Sequence, residues 1–123
     1  INQFIYGEMY KSPIISFSDN SYSFFTPDDT GTGIAYKGLV VFDLSVLRMT
    51  KLPIIVHDSI VLKQISDIAI EKILELYEKS GKQVIIALDK QSSYTKKANA
   101  ILNTNSVLQL STNGGELFGR SWG

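Results

Sequence analysis

The segment Leu52-Pro53-Ile54-Ile55-Val56-His57-Asp58-Ser59 is an apolar run that ends abruptly on polar side chains. Such a run is typical of a parallel strand that is covered on both faces of an α/β sheet. In open parallel sheets, ligands bind beyond the carboxyl ends of the strands, which is where Asp58 falls. The sequence therefore predicts an α/β fold with a functional site at Asp58.

A second apolar run, Gln83 to Leu88, follows a predicted helix from Ile65 to Lys79. Apolar residues recur at helical spacing in that segment. Ser66 and Asp67 suit the N-cap of the helix, and Gly81 suits a left-handed residue just after its end. Strand, helix and strand together predict a βαβ unit with parallel strands.

A carboxylate follows each predicted strand, Asp58 after the first and Asp89 after the second. Because parallel strands end at the same edge of a sheet, we expect these carboxylates to lie close together. The alternative is that Asp58 caps a turn and Asp89 is merely solvated, and the spacing alone does not decide between the two.

The N-terminal part of the chain predicts a β-hairpin. Ile14–Ser18 and Tyr22–Thr26 have strand-like composition and are separated by the turn-forming residues Asp19-Asn20-Ser21. Their partial alternation of apolar and polar residues predicts that one face is packed and the other exposed.

The segment Thr30-Gly31-Thr32-Gly33 precedes a long apolar stretch from Ile34 to Arg48. Leu39-Val40-Val41-Phe42 would also suit a strand, but the length of the stretch favours a helix that is buried over most of its circumference. A glycine-containing loop at a helix N-terminus offers backbone N–H groups and the positive end of the helix dipole to a phosphate. The alternative is that the glycines only turn the chain.

The C-terminal part predicts a short helix that Ser92-Ser93 caps and that extends through Leu102, followed by a strand from Ser106 to Leu110. After a glycine-rich turn, a terminal edge strand is predicted from Glu116 to Trp122. Phe118 and Trp122 are predicted to seal the end of the core or to contact a partner.

The composition of the 123 residues predicts one domain, 1–123, with a real core. Twelve Lys and Arg balance twelve Asp and Glu, which gives no support for DNA binding or for an anionic membrane. The lack of cysteine excludes disulfides and thiolate chemistry, and it fits a reducing compartment. Without a membrane-spanning run or a signal sequence, we expect a cytoplasmic location. The chain begins at Ile1, so we expect a piece of a longer protein or one half of a processed product.

The sequence has no P-loop motif, no G-x-S-x-G elbow and no H-E-x-x-H motif. His57 is the single histidine, and neighbouring strand residues point to opposite faces, so His57, Asp58 and Ser59 cannot assemble into a catalytic triad. A Mg²⁺ site that combines His57 with one or two carboxylates stays open.

The order of these features resembles the C-terminal lobe of an ABC-type ATPase head of the RecF and SMC-like kind. More narrowly, it resembles the bacterial family catalogued as domain of unknown function 2326, found at the C-terminus of coiled-coil ATPases. The matching segments begin near residue 29 and continue to the end of the chain. They are Asp29 to Gly33, Tyr36-Lys37-Gly38, Phe42-Asp43-Leu44, Leu52-Pro53, His57-Asp58-Ser59, Gly81-Lys82-Gln83, Ala87-Leu88-Asp89-Lys90 and Leu117 to Trp122.

The resemblance implies part of a P-loop NTPase fold, with the P-loop itself in an N-terminal lobe that precedes a long coiled coil. Thr30 to Gly33 would match the signature motif, which contacts the γ-phosphate of an ATP held by the opposite subunit. Ile54 to Asp58 would match the Walker B strand, with Asp58 positioning Mg²⁺ through water. Asp67 would lie near the D-loop that contacts the second head, and Asp89 near the switch histidine.

The chain departs from the ABC pattern at several positions. Its signature loop is Thr-Gly-Thr-Gly rather than Leu-Ser-Gly-Gly. Ser59 stands where the catalytic glutamate is usual, and Asp89 stands where histidine is usual. In an alternative register, Asp58 aligns with the glutamate and His57 takes the metal-holding position.

The leading hypothesis is that the chain is the C-terminal half of an ATP-binding head, inactive alone, with an N-terminal P-loop lobe and a second head as partners. One alternative is a non-enzymatic interaction module in which the hairpin and the tail from Phe118 to Trp122 dock a partner. Another is a small Mg²⁺-dependent phosphoesterase that uses Asp58, Asp89 and His57.

Overall fold

The computed structural model describes residues 1–7, 11–28, 31–88, 93–111 and 114–119. Helices and strands follow one another along most of these ranges. In chain order they are α1 (Asn2–Tyr6), β1 (Ile14–Ser18), β2 (Ser21–Phe25), α2 (Thr32–Met49), β3 (Ile54–His57), α3 (Ser59–Lys63), α4 (Asp67–Glu78), β4 (Gln83–Ile86) and α5 (Lys96–Asn105). The structure is therefore of the mixed α/β class, with one antiparallel and one parallel pair of strands.

The predicted hairpin is confirmed: β1 and β2 pair antiparallel, with Ser18 opposite Ser21 across a turn at Asp19-Asn20. The prediction of one packed face is wrong, because both strands are exposed except at Phe24, which is half-buried. The Phe24 ring meets Phe42 of α2 edge to face, with 5.5 Å between ring centroids. Phe24 thus packs on α2, while Phe17 and Tyr22 near the hairpin turn extend into solvent.

The predicted long helix is confirmed as α2, which begins two residues before Ile34, at Thr32. Away from its ends, only Ala35 and Leu39 are exposed, so the helix is covered over most of its circumference as expected. Its most buried side chains recur at helical spacing and face the core. They are Val40, Val41, Leu44 and Leu47.

The predicted βαβ unit is confirmed as a parallel pair of strands, with Val56 opposite Ile85. Helix α4 connects the strands with Ser66 as its N-cap, and Gly81 has the expected positive φ, 66°. An additional short helix, α3, lies between β3 and α4 and had no counterpart in the sequence predictions.

The two faces of the parallel pair have different environments. The inner face packs against the core through Ile55, Val84 and Ile86. On the outer face, Val56 is 64% exposed and its neighbour Ile85 is 47% exposed. The prediction that both faces are covered is therefore wrong, because the buried side chains of the helices gather on the inner face alone.

The core is a cluster of buried side chains to which all the helices contribute. Helices α1 and α5 pack on α4, while α2 packs on β3 and α3. The largest fully buried side chains are Val40, Leu47, Leu62, Ile70 and Ile73.

The C-terminal predictions are corrected in several places. Helix α5 begins at Lys96, and the Thr95 hydroxyl caps it by accepting a hydrogen bond from the Ala98 N–H at 3.1 Å. Ser106 to Leu110 is exposed and is not a strand. Residues 116–119 form a turn, closed by a hydrogen bond from the Gly119 N–H to the Glu116 carbonyl, and Phe118 is 67% exposed rather than sealing the core. Trp122 lies outside the described residues.

No helix within the described ranges has the length and apolar character needed to cross a membrane.

Candidate functional site

Asp58 lies at the carboxyl end of β3, in the position that the strand pattern predicted. It is exposed, and its Oδ1 accepts a hydrogen bond of 2.6 Å from the Ser59 N–H. Asp58 is thus the N-cap of α3, so the simpler interpretation of this residue as a cap is confirmed. Among the described residues, no hydrogen bond is made to its second carboxylate oxygen, which leaves that atom facing solvent.

His57 points to the opposite side of the strand and is only 4% exposed. Its Nδ1 lies 2.5 Å from the Tyr77 hydroxyl of α4, and its Nε2 lies 3.1 Å from Asp43 Oδ2 of α2. Asp43, His57 and Tyr77 form a continuous polar network, which we call the buried triad. It connects a strand to two helices, with His57 and Tyr77 buried and Asp43 half-buried at the edge of the interior.

One assignment of hydrogens satisfies every member of the buried triad. The His57 Nε2–H donates to the Asp43 carboxylate, and the Tyr77 O–H donates to the lone pair on His57 Nδ1. Burial raises the pKa of the Tyr77 hydroxyl far above its ordinary value, and the nearby negative charge of Asp43 raises it further. Tyr77 therefore remains a proton donor across the physiological range.

The predicted phosphate loop lies at the start of α2, where Gly31 is the N-cap and Thr32 begins the helix. Thr30 lies outside the described residues. Gly33 has a packing reason to be glycine, because a Cβ there would overlap the backbone carbonyl oxygen of Gln64 at the end of α3. Within the described part of the chain, the first turn holds no acidic side chain and receives no side-chain cap.

The remaining described site residues lie at the starts of two helices. Ser59 begins α3 directly beside Asp58, and Asp67 begins α4 and is exposed. Asp89 lies outside the described residues, so its proximity to Asp58 stays a prediction.

The metal prediction for His57 meets a geometric difficulty, since both ring nitrogens already have protein partners. Asp58 and His57 also lie on opposite faces of β3, so they do not converge on one ion. Among the described residues, no group of three or more His, Cys, Asp and Glu side chains is placed to hold a metal. A solvated Mg²⁺ held through water by one carboxylate is the chemistry that Asp58 itself suits.

The sequence predictions missed Asp43 and Tyr77 as polar partners of His57. Asp43 belongs to one of the matching segments but has no predicted role there, and Tyr77 lies within the predicted helix from Ile65 to Lys79 without a predicted polar partner. A usable signal was present, since a carboxylate within an apolar helix requires a partner.

Comparison with known proteins identifies one family. The family described as "Uncharacterised protein conserved in bacteria (DUF2326)" matches residues 1–122. No curated protein matches the chain. No solved structure matches it either. Since the match covers nearly the whole sequence, the chain belongs to the bacterial DUF2326 family.

Proposed function

We propose that this chain is the C-terminal half of an ATP-binding head of the RecF and SMC-like type, completed by an N-terminal P-loop lobe. The chain supplies the Walker B-like strand ending at Asp58 and the signature-like loop Thr30 to Gly33. The observation that carries the proposal is the open outer face of the parallel strand pair, which has Asp58 at its carboxyl end.

The open face supports the proposal because parallel strands are almost always covered on both sides. Val56 and Ile85 are paired neighbours on this face and together expose an apolar surface beside Asp58. A two-stranded sheet is also short of the number of strands that gives independent stability. A lobe that adds strands to this sheet would raise the number of strands and cover the exposed face. The same lobe would bring its P-loop towards Asp58.

The location of Asp58 supports a role with Mg-ATP. Its carboxylate is exposed, and one oxygen is available to hold a water of hydrated Mg²⁺. The metal would supply charge neutralisation between the nucleotide phosphates. Within this chain, Asp58 would orient the metal's water, while the Ser59 N–H fixes the carboxylate.

The N-terminus of α2 supports the second part of the proposal. This helix is 18 residues long, and its first turn has no acidic residue. The backbone N–H groups of its first turn and its dipole favour a phosphate. In the proposed assembly this phosphate belongs to the ATP of a second head, so the active form is a homodimer of heads in the cytoplasm. Ser59 stands at the glutamate position and carries no carboxylate, so we propose ATP binding as the main role of the site.

A second candidate function is a protein-interaction module without enzymatic activity. The hairpin favours it, because Phe17 is 78% exposed and its cross-strand partner Tyr22 is 72% exposed. Phe118 of the tail is also exposed, as are Val107 and Leu108 after α5. A phosphoesterase gains no comparable support, since the nitrogens of His57 are already occupied.

The two candidates are separated by measuring association of the chain with the P-loop lobe. Changing Val56 and Ile85 together to Thr keeps β-branched side chains in the strands but places hydroxyl groups on the open face. Changing Phe17 and Tyr22 to Thr is the matched control on the hairpin. The half-head proposal predicts at least about tenfold weaker association for the sheet variant and little change for the hairpin variant, given the cost of burying unpaired hydroxyls. No association of the parent chain with the P-loop lobe would favour the interaction module, and association that only the hairpin variant weakens would contradict docking at the open sheet face.

A further inference from the structure

The buried triad is costly for a purely structural element. Burying the His57 imidazole and the Tyr77 hydroxyl, and half-burying the Asp43 carboxylate, carries a desolvation cost that hydrogen bonds only partly offset. Apolar residues of similar size fill such a space without that cost. We therefore look for a role that apolar packing would not fulfil. Directional hydrogen bonds can hold the end of β3 in one orientation, and apolar packing cannot.

The position of His57 indicates that Asp58 is the residue whose orientation the triad restrains. His57 directly precedes Asp58, and its carbonyl accepts a hydrogen bond of 3.1 Å from the Ala87 N–H, which extends the parallel ladder. Its side chain is held from the other side by Asp43 and Tyr77. Both the backbone and the side chain of His57 are thus held in place. Because Asp58 is the next residue, its backbone orientation is restrained as well.

The triad also connects the two halves of the proposed nucleotide site. Asp43 lies on α2, the helix whose N-terminus forms the signature-like loop. The hydrogen bond between Asp43 and His57 joins that helix to the Walker B-like strand. Tyr77 adds the helix that leads from β3 to β4.

We propose that Asp43, His57 and Tyr77 are positioning residues that hold Asp58 in the orientation required for Mg-ATP. This inference rests on the proposed function, because it assigns the triad to the same site. None of the three contacts the nucleotide or the metal. Their effect is transmitted through the backbone of β3.

The test compares three variants in the protein that joins this chain to its P-loop lobe. Asp43→Leu removes the acceptor for the His57 Nε2–H, whereas Asp43→Asn retains an oxygen that can accept it. Ile73→Val weakens the same core while leaving all three members of the triad in place, since Ile73 is fully buried on α4. ATP binding is measured across a Mg²⁺ titration and in EDTA, and hydrogen exchange of residues 54–63 is measured by mass spectrometry.

We expect Asp43→Leu to raise the Mg²⁺ concentration for half-maximal ATP binding by about tenfold, as is typical when an outer-shell partner is removed. Binding in EDTA should not change. The same variant should speed hydrogen exchange in residues 54–63, while Asp43→Asn and Ile73→Val should resemble the parent in both measurements.

Equal effects of Asp43→Leu and Ile73→Val would overturn the inference and leave the triad with a role in stability alone. If the parent shows no Mg²⁺-dependent ATP binding, the proposed function fails. The exchange measurement still decides in that case, because unchanged exchange in Asp43→Leu would reject the positioning role of the triad.

Discussion

Tyr77 has the most strongly perturbed titration among the described residues. Its hydroxyl donates to His57 in the interior, and burial together with the charge of Asp43 raises its pKa. In the unfolded chain the same hydroxyl titrates near its ordinary value of 10.0. Above that pH the unfolded state loses a proton that the folded state retains, so the stability contribution is complete below about pH 10 and declines as the pH rises.

The prediction is that Tyr77→Phe changes both the size and the pH dependence of the free energy of unfolding. At pH 8 the variant should be less stable by about 1–3 kcal/mol, because His57 Nδ1 loses its donor. Between pH 9 and 11 its stability should fall less steeply than that of the parent. Urea unfolding at a series of pH values measures both effects, and parallel curves for the two proteins would contradict the account.

At the residue scale, the sequence located the end of β3 better than the side-chain contacts made there. The strand pattern located Asp58 correctly, and the alternation of a strand placed His57 on the opposite face. The partners of His57 are 14 and 20 residues away along the chain. Such contacts depend on how α2 and α4 pack together, which local patterns do not specify.

At the scale of elements, α2 shows why two of its glycines have different roles. The backbone of Gly33 lies against the Gln64 carbonyl, and a Cβ would overlap that oxygen. A Cβ at Gly38 would lie 3.5 Å from Thr26 Oγ1, which is ordinary van der Waals contact. The space at Gly38 admits a methyl group, and the space at Gly33 does not.

Gly33→Ala is therefore predicted to destabilise the protein by about 1–3 kcal/mol, the usual cost of overpacking. Gly38→Ala should be neutral or stabilising by up to about 1 kcal/mol, because alanine favours a helix interior over glycine. Denaturant unfolding of the pair measures the difference. A change of the same sign and size in both variants would show that the close approach at Gly33 has no energetic importance.

The elements that the sequence predicted well are those with strong local periodicity, such as α2 and α4. Predictions failed where local composition was not decisive. Thr95 caps α5, although Ser92-Ser93 offered similar chemistry slightly earlier. Ser106 to Leu110 has the composition of a strand but lies exposed, because strand preference depends on packing against a neighbour.

At the scale of the whole molecule, the open sheet face is the feature that ties the fold to the proposed function. The apolar run of β3 predicted burial on both faces, and the structure covers only one of them. In the proposed head, the P-loop lobe covers the second face. The apolar run of β3 would then match the burial of this strand in the assembled protein. The assignment to an ABC-type head itself rests on the order of sequence motifs and on this incomplete burial.

The most direct test of the central claim is ATP binding, measured with and without Mg²⁺, for this chain alone and joined to its P-loop lobe. Asp58→Asn is the informative variant, because asparagine still caps α3 while the negative charge is lost. Asp19→Ala, in the exposed hairpin turn, is the control. The account predicts that the chain alone does not bind ATP and that the joined protein binds it in a Mg²⁺-dependent manner. Asp58→Asn should weaken this binding at least about tenfold, as for loss of a charged contact. Asp19→Ala should leave the binding unchanged. Absence of binding by the joined protein, or Mg²⁺-dependent binding that Asp58→Asn leaves intact, would contradict it.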